Sequence, residues 1–480
     1  MSEDINEGVD FCEITFAVPA QQFGITCSLS TEEALPVVTE FALRVIHVCE
    51  TMTPKQLEEY FGFGQREIAA VVHTLLSERL VTWVEDSLEV TPYARARFID
   101  SPDGIPRFFT IKDFSADLVF DLMSFVPSHG TKDRVNRVGT LMGLTPRDLQ
   151  KESRTKVEAE RSFQEHFHRV YSGRRAEIYK ISDVEAGERF YIALSCRFSI
   201  DVKDGIEVRR VLSDPSFDNR LEISSAISKV LSTVDPSENP DLNEFEEYFG
   251  GTSIKQYLGG NSFDLTGYLR DVHLKPQTRH TGDTIPIVGG PHLESNRTLF
   301  LSKLKDHDDS VAGFAYWLAP QNRYWSRSRF VNGFVRSITG YLKKASTASE
   351  GASELVNKSL MRVLIQNPQM EDRELANIYE NAFPSLFITR ASIMSGRVEL
   401  LLYPGRVMCA LYHYRIENSP MAIPIGILST NPGQLLKASE LLTRACAMQD
   451  IYRLDHKGNR SMAVHKDFEF IPQVQADENA

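Results

Sequence analysis

Between Asp309 and Glu350 the chain carries no acidic residue. The same span holds Arg323, Arg327, Arg329, Arg336, Lys343 and Lys344, interleaved with Tyr316, Trp317, Tyr324, Trp325, Phe330, Phe334 and Tyr341. Planar guanidinium groups beside flat rings are suited to gripping phosphates and stacking unpaired bases. The segment is therefore a candidate nucleic-acid surface, with Arg323, Trp325, Arg327, Arg329, Arg336, Lys343 and Lys344 as contact residues. Two other readings stay open. Val331, Phe334, Val335, Ile338 and Leu342 follow helical spacing, which places several of the aromatics in a core. The arginines would equally suit an acidic protein surface, including the N-terminal region of this chain.

Other reactive side chains are dispersed. Cys12, Cys27, Cys49, Cys196, Cys409 and Cys446 show no CxxC or Cys/His clustering, which points to reduced thiols rather than a disulfide framework or structural zinc. His273, His280 and His292 lie near Asp283 and Glu294 without a fixed ligand spacing, so no metal is expected. Gly250-Gly251, Gly259-Gly260 and Gly289-Gly290 lack the spacing that cradles a nucleotide phosphate, and no GxSxG motif is present. No cofactor is expected.

The elements that position these residues belong to a chain of 480 residues, 42% hydrophobic, with net charge −12. That length accommodates several cores, and the charge opposes general polyanion binding while permitting local patches. The N-terminus, Met-Ser-Glu-Asp, has no secretion signal, and no run reaches membrane-spanning length. A cytoplasmic protein without membrane contact is the expectation.

From Leu35 to Val48, residues Val37, Val38, Phe41, Ala42, Val45, Ile46 and Val48 share one helical face. Thr53-Pro54 is an N-cap followed by proline at the first helical position, and Phe61-Gly62-Phe63-Gly64 makes a turn. Gln65 to Arg79 reads as a third helix, followed by short strands on either side of Glu85-Asp86 and a closing helix after Pro92. This order resembles the winged helix-turn-helix superfamily over residues 33–99. The resemblance implies that the third helix presents Gln65, Arg66, Ala69, Ala70, His73 and Ser77 outward, with Gln65, Arg66 and His73 as its surface contacts. Residues 1–100 hold roughly 17 acidic against 6 basic side chains, an excess that repels a phosphate backbone. Docking of a partner protein is therefore favoured over DNA reading.

The fold class expected is α+β, or mixed α/β multidomain. It comprises a winged helix over 30–100, a helical plus antiparallel sheet domain over 101–234, a linker and loop-rich region over 235–292, a C-terminal α/β domain over 293–470 and a disordered tail over 471–480. Within the second domain, Lys132 to Tyr171 reads as a charge-dense helical region. Ala176–Ile181, Phe190–Cys196, Phe198–Val202 and Glu207–Leu212 read as strands. Further on, Glu354–Gln366 and Glu371–Ala382 read as helices, Arg397–Tyr403 and Val407–Tyr414 as a hairpin, Ala422–Leu428 as a strand and Gln434–Ala445 as a helix.

His413-Tyr414-Arg415 on one strand, then Ser429-Thr430-Asn431 at the end of the next, resembles the second half of a phospholipase D-type site over about 40 residues. That resemblance implies a histidine nucleophile at His413, with Ser429 and Asn431 as the strand-end pair. Arg415 stands where the family has lysine, and Pro420 where it has aspartate. The function expected is a non-enzymatic, nucleic-acid-associated interaction protein. Its acidic winged helix docks partner proteins, its basic-aromatic segment contacts DNA or RNA phosphates, and a second copy of the chain is a further candidate partner. By analogy of fold, such chains accompany bacterial multi-protein systems acting on foreign DNA, that is, antiviral defence. The alternative is a phospholipase D-like phosphodiesterase or nuclease.

Overall fold

Strand β1, Val9–Glu33, buries opposite faces in its two halves, which is why its sequence shows no single alternation. Phe16, Val18 and Ala20 point into the main core, whereas Phe23, Ile25, Cys27 and Leu29 point into a second core on the other side. The computed structural model describes residues 8–463, apart from 100–103, 131–132, 147–152, 174–175, 202–205, 233–237, 251–253, 260–261, 275–281, 306–313, 348–360, 367, 369, 380–381, 384, 417–418 and 448–450. The expected tail over 471–480 lies outside the described residues, as do His280 and the side chains of His273, Lys343 and Lys344.

After β1 come helices α1 (Val37–Cys49), α2 (Pro54–Phe61) and α3 (Gln65–Ser77), a hairpin of β2 (Val81–Val84) and β3 (Ser87–Val90), and the short α4 (Pro92–Arg95). Thr53 caps α2 and Gln56 returns the contact to the cap backbone; Gly62 ends the helix at φ 68°, a conformation glycine adopts without penalty. Leu43, Ile46, Leu57, Ile68, Leu75 and Leu88 form a core of this unit, separate from the main and second cores, to which Phe108 at the start of the next strand also contributes. Of the apolar residues assigned to one face of α1, Ala42 and Ile46 point inward and Val45 packs partly buried against the same core, where Leu43 joins them. Val37, Val38, Phe41 and Val48 are exposed.

The chain then returns along β4 (Phe108–Asp121), which pairs antiparallel with β1 from Glu33↔Phe108 to Ala20↔Asp121. The helical unit is thus inserted at the end of a two-strand ladder. Pro19 falls one residue past that pairing, where a missing N–H leaves no gap on the β4 side. Helix α5 (Thr155–Glu165) covers the second core through Ala159 and Phe163. It occupies only part of the region expected to be helical, and Arg134–Val135 and Met142–Gly143 instead add short pairings to the sheet. The strands expected over 176–202 are one strand, β5 (Ala176–Asp201), on the other side of β1. Gly187 marks a bulge where the register with Gln21 and Phe23 shifts. Strand β6 (Glu207–Leu212) completes the order β6-β5-β1-β4.

Helices α6 (Leu221–Leu231), α7 (Leu242–Phe249) and α8 (Leu265–Leu274) follow, then β7 (Thr284–Val288). The region expected to be loop-rich therefore contains α7, α8 and β7 along with a short pairing of Leu258–Gly259 with Ser262–Phe263, and Phe245, Phe249, Tyr268 and Leu269 of its helices join the main core. The remaining elements are α9 (Glu294–Lys305), β8 (Ala315–Ala319), α10 (Arg329–Thr347), β9 (Met361–Gln366), α11 (Asp372–Tyr379), β10 (Leu386–Thr389), β11 (Val398–Tyr403), β12 (Val407–Arg415), β13 (Ala422–Ser429), α12 (Pro432–Ala447), β14 (Tyr452–Leu454) and β15 (Arg460–Met462). They build a nine-stranded sheet in the order β7-β13-β12-β11-β8-β9-β10-β14-β15.

Strands β8, β9 and β10 are parallel, with α10 and α11 in the crossovers, as parallel neighbours require. The end of the expected helix 354–366 is instead β9, a strand buried on both faces; a short apolar run of this kind has no period that separates helix from strand. The hairpin β11–β12 and the strand β13 fall where the sequence placed them. Gly426 sits where a Cβ would lie 2.1 Å from the Ala410 carbonyl oxygen, so only glycine fits the centre of this sheet. The fold is mixed α/β. Among the described residues no helix is long and apolar enough to cross a membrane.

Asp121, almost fully buried, accepts hydrogen bonds from the Met123 and Ser124 amides and pairs with Arg220 at 2.7 Å, tying the end of β4 to the start of α6. Asp121→Ala is expected to lower stability by about 3–5 kcal/mol by leaving Arg220 buried without its carboxylate. Urea unfolding monitored by circular dichroism measures the loss.

Candidate functional site

The segment from Asn322 to Ser328 leads from β8 into α10 and lies against both sheets. Glu399, on β11 and 1% exposed, is its anchor. One carboxylate oxygen accepts the indole N–H groups of Trp317 and Trp325, each at 2.9 Å, and the other accepts His413 Nε2 at 2.8 Å. Asn322 Oδ1 accepts the Tyr324 amide, which directs its Nδ2 to His413 Nδ1 at 3.1 Å. The imidazole is thus held at both ring nitrogens, Nε2 by the Glu399 carboxylate and Nδ1 by the Asn322 amide. Burial pushes the Glu399 carboxyl up, but the hydrogen bond from His413, the Trp325 N–H and nearby His292 outweigh it and hold the group below its ordinary value. His292 follows the Gly289-Gly290 turn, its Nδ1 enclosed without a hydrogen-bond partner. Burial, partly offset by Glu399, pushes its imidazole down to about 4.

This arrangement corrects the expectation of an exposed basic-aromatic surface. Trp325 is buried and stacks on Phe383 at 5.6 Å, and Arg327 is buried over the Tyr379 ring. Arg323 is partly buried and donates to the Val230 carbonyl at 3.1 Å. Arg329 pairs with Asp133 at 2.6 Å. Arg336 is exposed on α10, and Lys343 and Lys344 lie on the last turns of that helix, outside the described side chains. The physical reason is local. Two tryptophans with a shared buried acceptor gain more from enclosure than from solvent, and Arg323 between them and Arg327 just after them are carried inward.

The phospholipase D-type set does not converge either. His413 pairs across the sheet with Pro424, and Ser429 with Met408, five residues along the same ladder. At strand spacing that separates them by roughly 17 Å. Both nitrogens of His413 are occupied. Ser429 bonds Thr284 and the Asp283 carbonyl, and Asn431 accepts the Gly433 and Gln434 amides as the N-cap of α12. These are structural roles. Thiol chemistry is also disfavoured at the buried cysteines, since burial pushes Cys196 up to about 12. Among the described residues no cluster of histidine, cysteine and carboxylate could hold a metal.

What the structure does assemble is a cleft of about 320 Å³ between the first sheet and the start of α10. Arg134, Arg137 and Arg329 line it with Asp133, Thr140 and Asn332. The Arg134 guanidinium lies 4.3 Å over the Phe190 ring and pairs with Glu188. Arg137 is exposed, and the Asn332 Oδ1 is buried with no hydrogen-bond partner among the described residues. Backbone contacts hold the cleft's floor to the second sheet. The Thr15 amide donates to the Arg327 carbonyl at 2.8 Å, and the Thr15 hydroxyl accepts the Arg329 amide at 3.1 Å. Reading Lys132 to Tyr171 as a charge-dense helical region does not single out Arg134 and Arg137. The excess of base there was the available signal.

On the inserted unit, Gln65, Arg66 and His73 are exposed on α3 together with Ala69 and Ala70, and the turn after β2 carries exposed Glu85 and Asp86. No protein-family model, no curated protein and no solved structure matches the chain.

Glu399→Leu leaves two indole N–H groups and His413 without their acceptor, and a loss of about 3–5 kcal/mol is expected by denaturant titration. Stability is also expected to fall in acid. The neutral His292 of the folded state resists a proton that the unfolded chain binds from its ordinary value of 6.5 downward, so stability is lost between there and about 4. The depressed Glu399 carboxyl adds a further loss below its ordinary value of 4.5. His292→Asn should flatten the first part of that profile, read as unfolding midpoints at neutral pH and at about pH 5.

Proposed function

We propose that this chain is a non-enzymatic interaction protein that associates with nucleic acid through phosphate contacts at the arginine-lined cleft. The inserted unit, in this reading, acts as a winged helix that docks protein. The observation that carries the proposal is the convergence of Arg134, Arg137 and Arg329 on one cleft in a chain of net charge −12. Three guanidinium groups meet two carboxylates there, Asp133 paired with Arg329 and Glu188 with Arg134, so the exposed Arg137 leaves the cleft locally positive in an otherwise repelling field. Its volume lies at the lower end of the range for ligand pockets, enough for a phosphate with part of its nucleotide.

The docking role of the inserted unit is supported by composition and exposure. Its outward α3 face offers Arg66 and His73 among Gln65, Ala69 and Ala70, and its hairpin tip is doubly acidic, a poor match for a phosphate backbone. The same unit exposes Val37, Phe41, Val48, Tyr60 and Trp83, side chains that gain free energy when a partner covers them.

Fluorescence anisotropy with labelled single-stranded and duplex oligonucleotides over a salt series tests the cleft. Arg137→Glu is expected to weaken binding and reduce the slope of log affinity against log salt by about 0.7–1. Lys112→Glu, exposed on β4 opposite Leu29 and far along the β1 ladder from Arg134, should change neither by a comparable amount. Absence of binding in the unaltered protein, or equal effects of the two substitutions, would overturn the reading.

A further inference from the structure

Helix α1 is apolar on two opposite faces. Leu43 and Ile46 fill the core of the inserted unit, while Val37, Phe41 and Val48 are 69%, 47% and 80% exposed on the other side. Three large apolar side chains exposed together on the outer side gain free energy when a partner covers them. The spacing 37, 41, 44, 48 places Val37, Phe41, Arg44 and Val48 along one stripe, with Glu40 on one edge and Val45 on the other.

The stripe is symmetric about the midpoint between Ala42 and Leu43. Val37 and Val48 lie equally far on either side of it, Glu40 opposes Arg44 to within one residue, and Phe41 opposes Val45 to within one residue. We propose that the outer face of α1 pairs antiparallel with the same face of a second copy of this chain about a two-fold axis at that midpoint. The proposal rests on the docking reading above and names the partner. Such an axis brings like edges together, as an isologous interface requires. Glu40 of each copy then meets Arg44 of the other, and Phe41 of each meets Val45 of the other. Val37 of each meets Val48 of the other, closing both ends of a contact about 16 Å long at the helical rise.

The charges are complementary on self-pairing. Glu40 and Arg44 already form an ion pair at 3.4 Å within one helix, and the Arg44 guanidinium lies 5.2 Å over the Phe41 ring. Both contacts can be exchanged between copies without leaving a charge unpaired. In a parallel two-fold pairing the Glu40 edge of one copy would instead meet the Val45 edge of the other, setting a carboxylate against an apolar side chain rather than against Arg44. One helix per copy buries less than the standard interface, so a dimer that forms in the micromolar range is expected.

The test uses the full chain in a Cys49→Ser background, because Cys49 is an exposed native thiol at the end of α1. Under mild oxidation the Val37→Cys/Val48→Cys double variant is expected to form a disulfide-linked dimer, whereas neither single variant does. In sedimentation velocity over a concentration series, Phe41→Glu and Arg44→Glu should each raise the dimer dissociation constant about tenfold or more. The Glu40→Arg/Arg44→Glu exchange should restore dimerisation, which mere unfolding of the unit would not allow. Self-cross-linking of either single-cysteine variant would overturn the antiparallel pairing. A monomer at every concentration would overturn the proposal altogether. If Phe41→Glu then abolishes capture of a different protein, docking survives with another partner; if it changes no capture, docking by this face falls as well.

Discussion

The buried carboxylate of Glu399 is the constraint on which the joint between the two sheets depends. A lone carboxylate in this position would be expelled or neutralised, and it is retained because two indoles and an imidazole donate to it. Once Trp317 on β8 and Trp325 after it are fixed on the same oxygen, the intervening backbone has little freedom. Its course places the Arg327 carbonyl opposite the Thr15 amide, and so decides where β1 meets the second sheet. The start of α10, the position of Arg329 and hence one wall of the arginine-lined cleft follow from that contact.

The absence of acid between Asp309 and Glu350 takes on a different meaning in this light. The partners of that basic segment are supplied from remote parts of the chain: Asp133 for Arg329, and the Val230 carbonyl for Arg323. A local run of one sign is thus compatible with interior placement when the opposite sign arrives from elsewhere. Surface and interior produce the same linear pattern, and only the tertiary pairing separates them.

Much of the architecture was legible where one element is covered on one face. The cap Thr53-Pro54, the Gly62 terminator and the hairpin over Pro404-Gly405-Arg406 were readable because turn and cap chemistry acts within a few residues. Strand β1 was not, since its halves bury opposite faces and the alternation cancels across the strand. Strand β9 was hidden by burial on both faces, which removes any period from Met361–Gln366. Of the arginine cleft only Arg329 was anticipated. Arg134 and Arg137 reach it because a segment read as helix runs instead along the edge of the sheet, a placement set by pairing with β5. Glu399 went unnoticed because nothing in Val-Glu-Leu-Leu-Leu marks a carboxylate whose donors lie on three other stretches of chain.

The insertion between Glu33 and Phe108 bears on the order in which the molecule assembles. Its entrance and exit are neighbours in one ladder, so the long loop that β1 and β4 must close is closed for them once the helical unit has condensed on its own apolar centre. A contact that is remote along the chain becomes, kinetically, a short-range one, and the search that slows distant strand pairing is largely avoided. As the polypeptide leaves the ribosome, β1 emerges without its partners; the globule that follows it acts as a clasp, presenting the growing β4 at the right edge and leaving β5 to zip onto the other side.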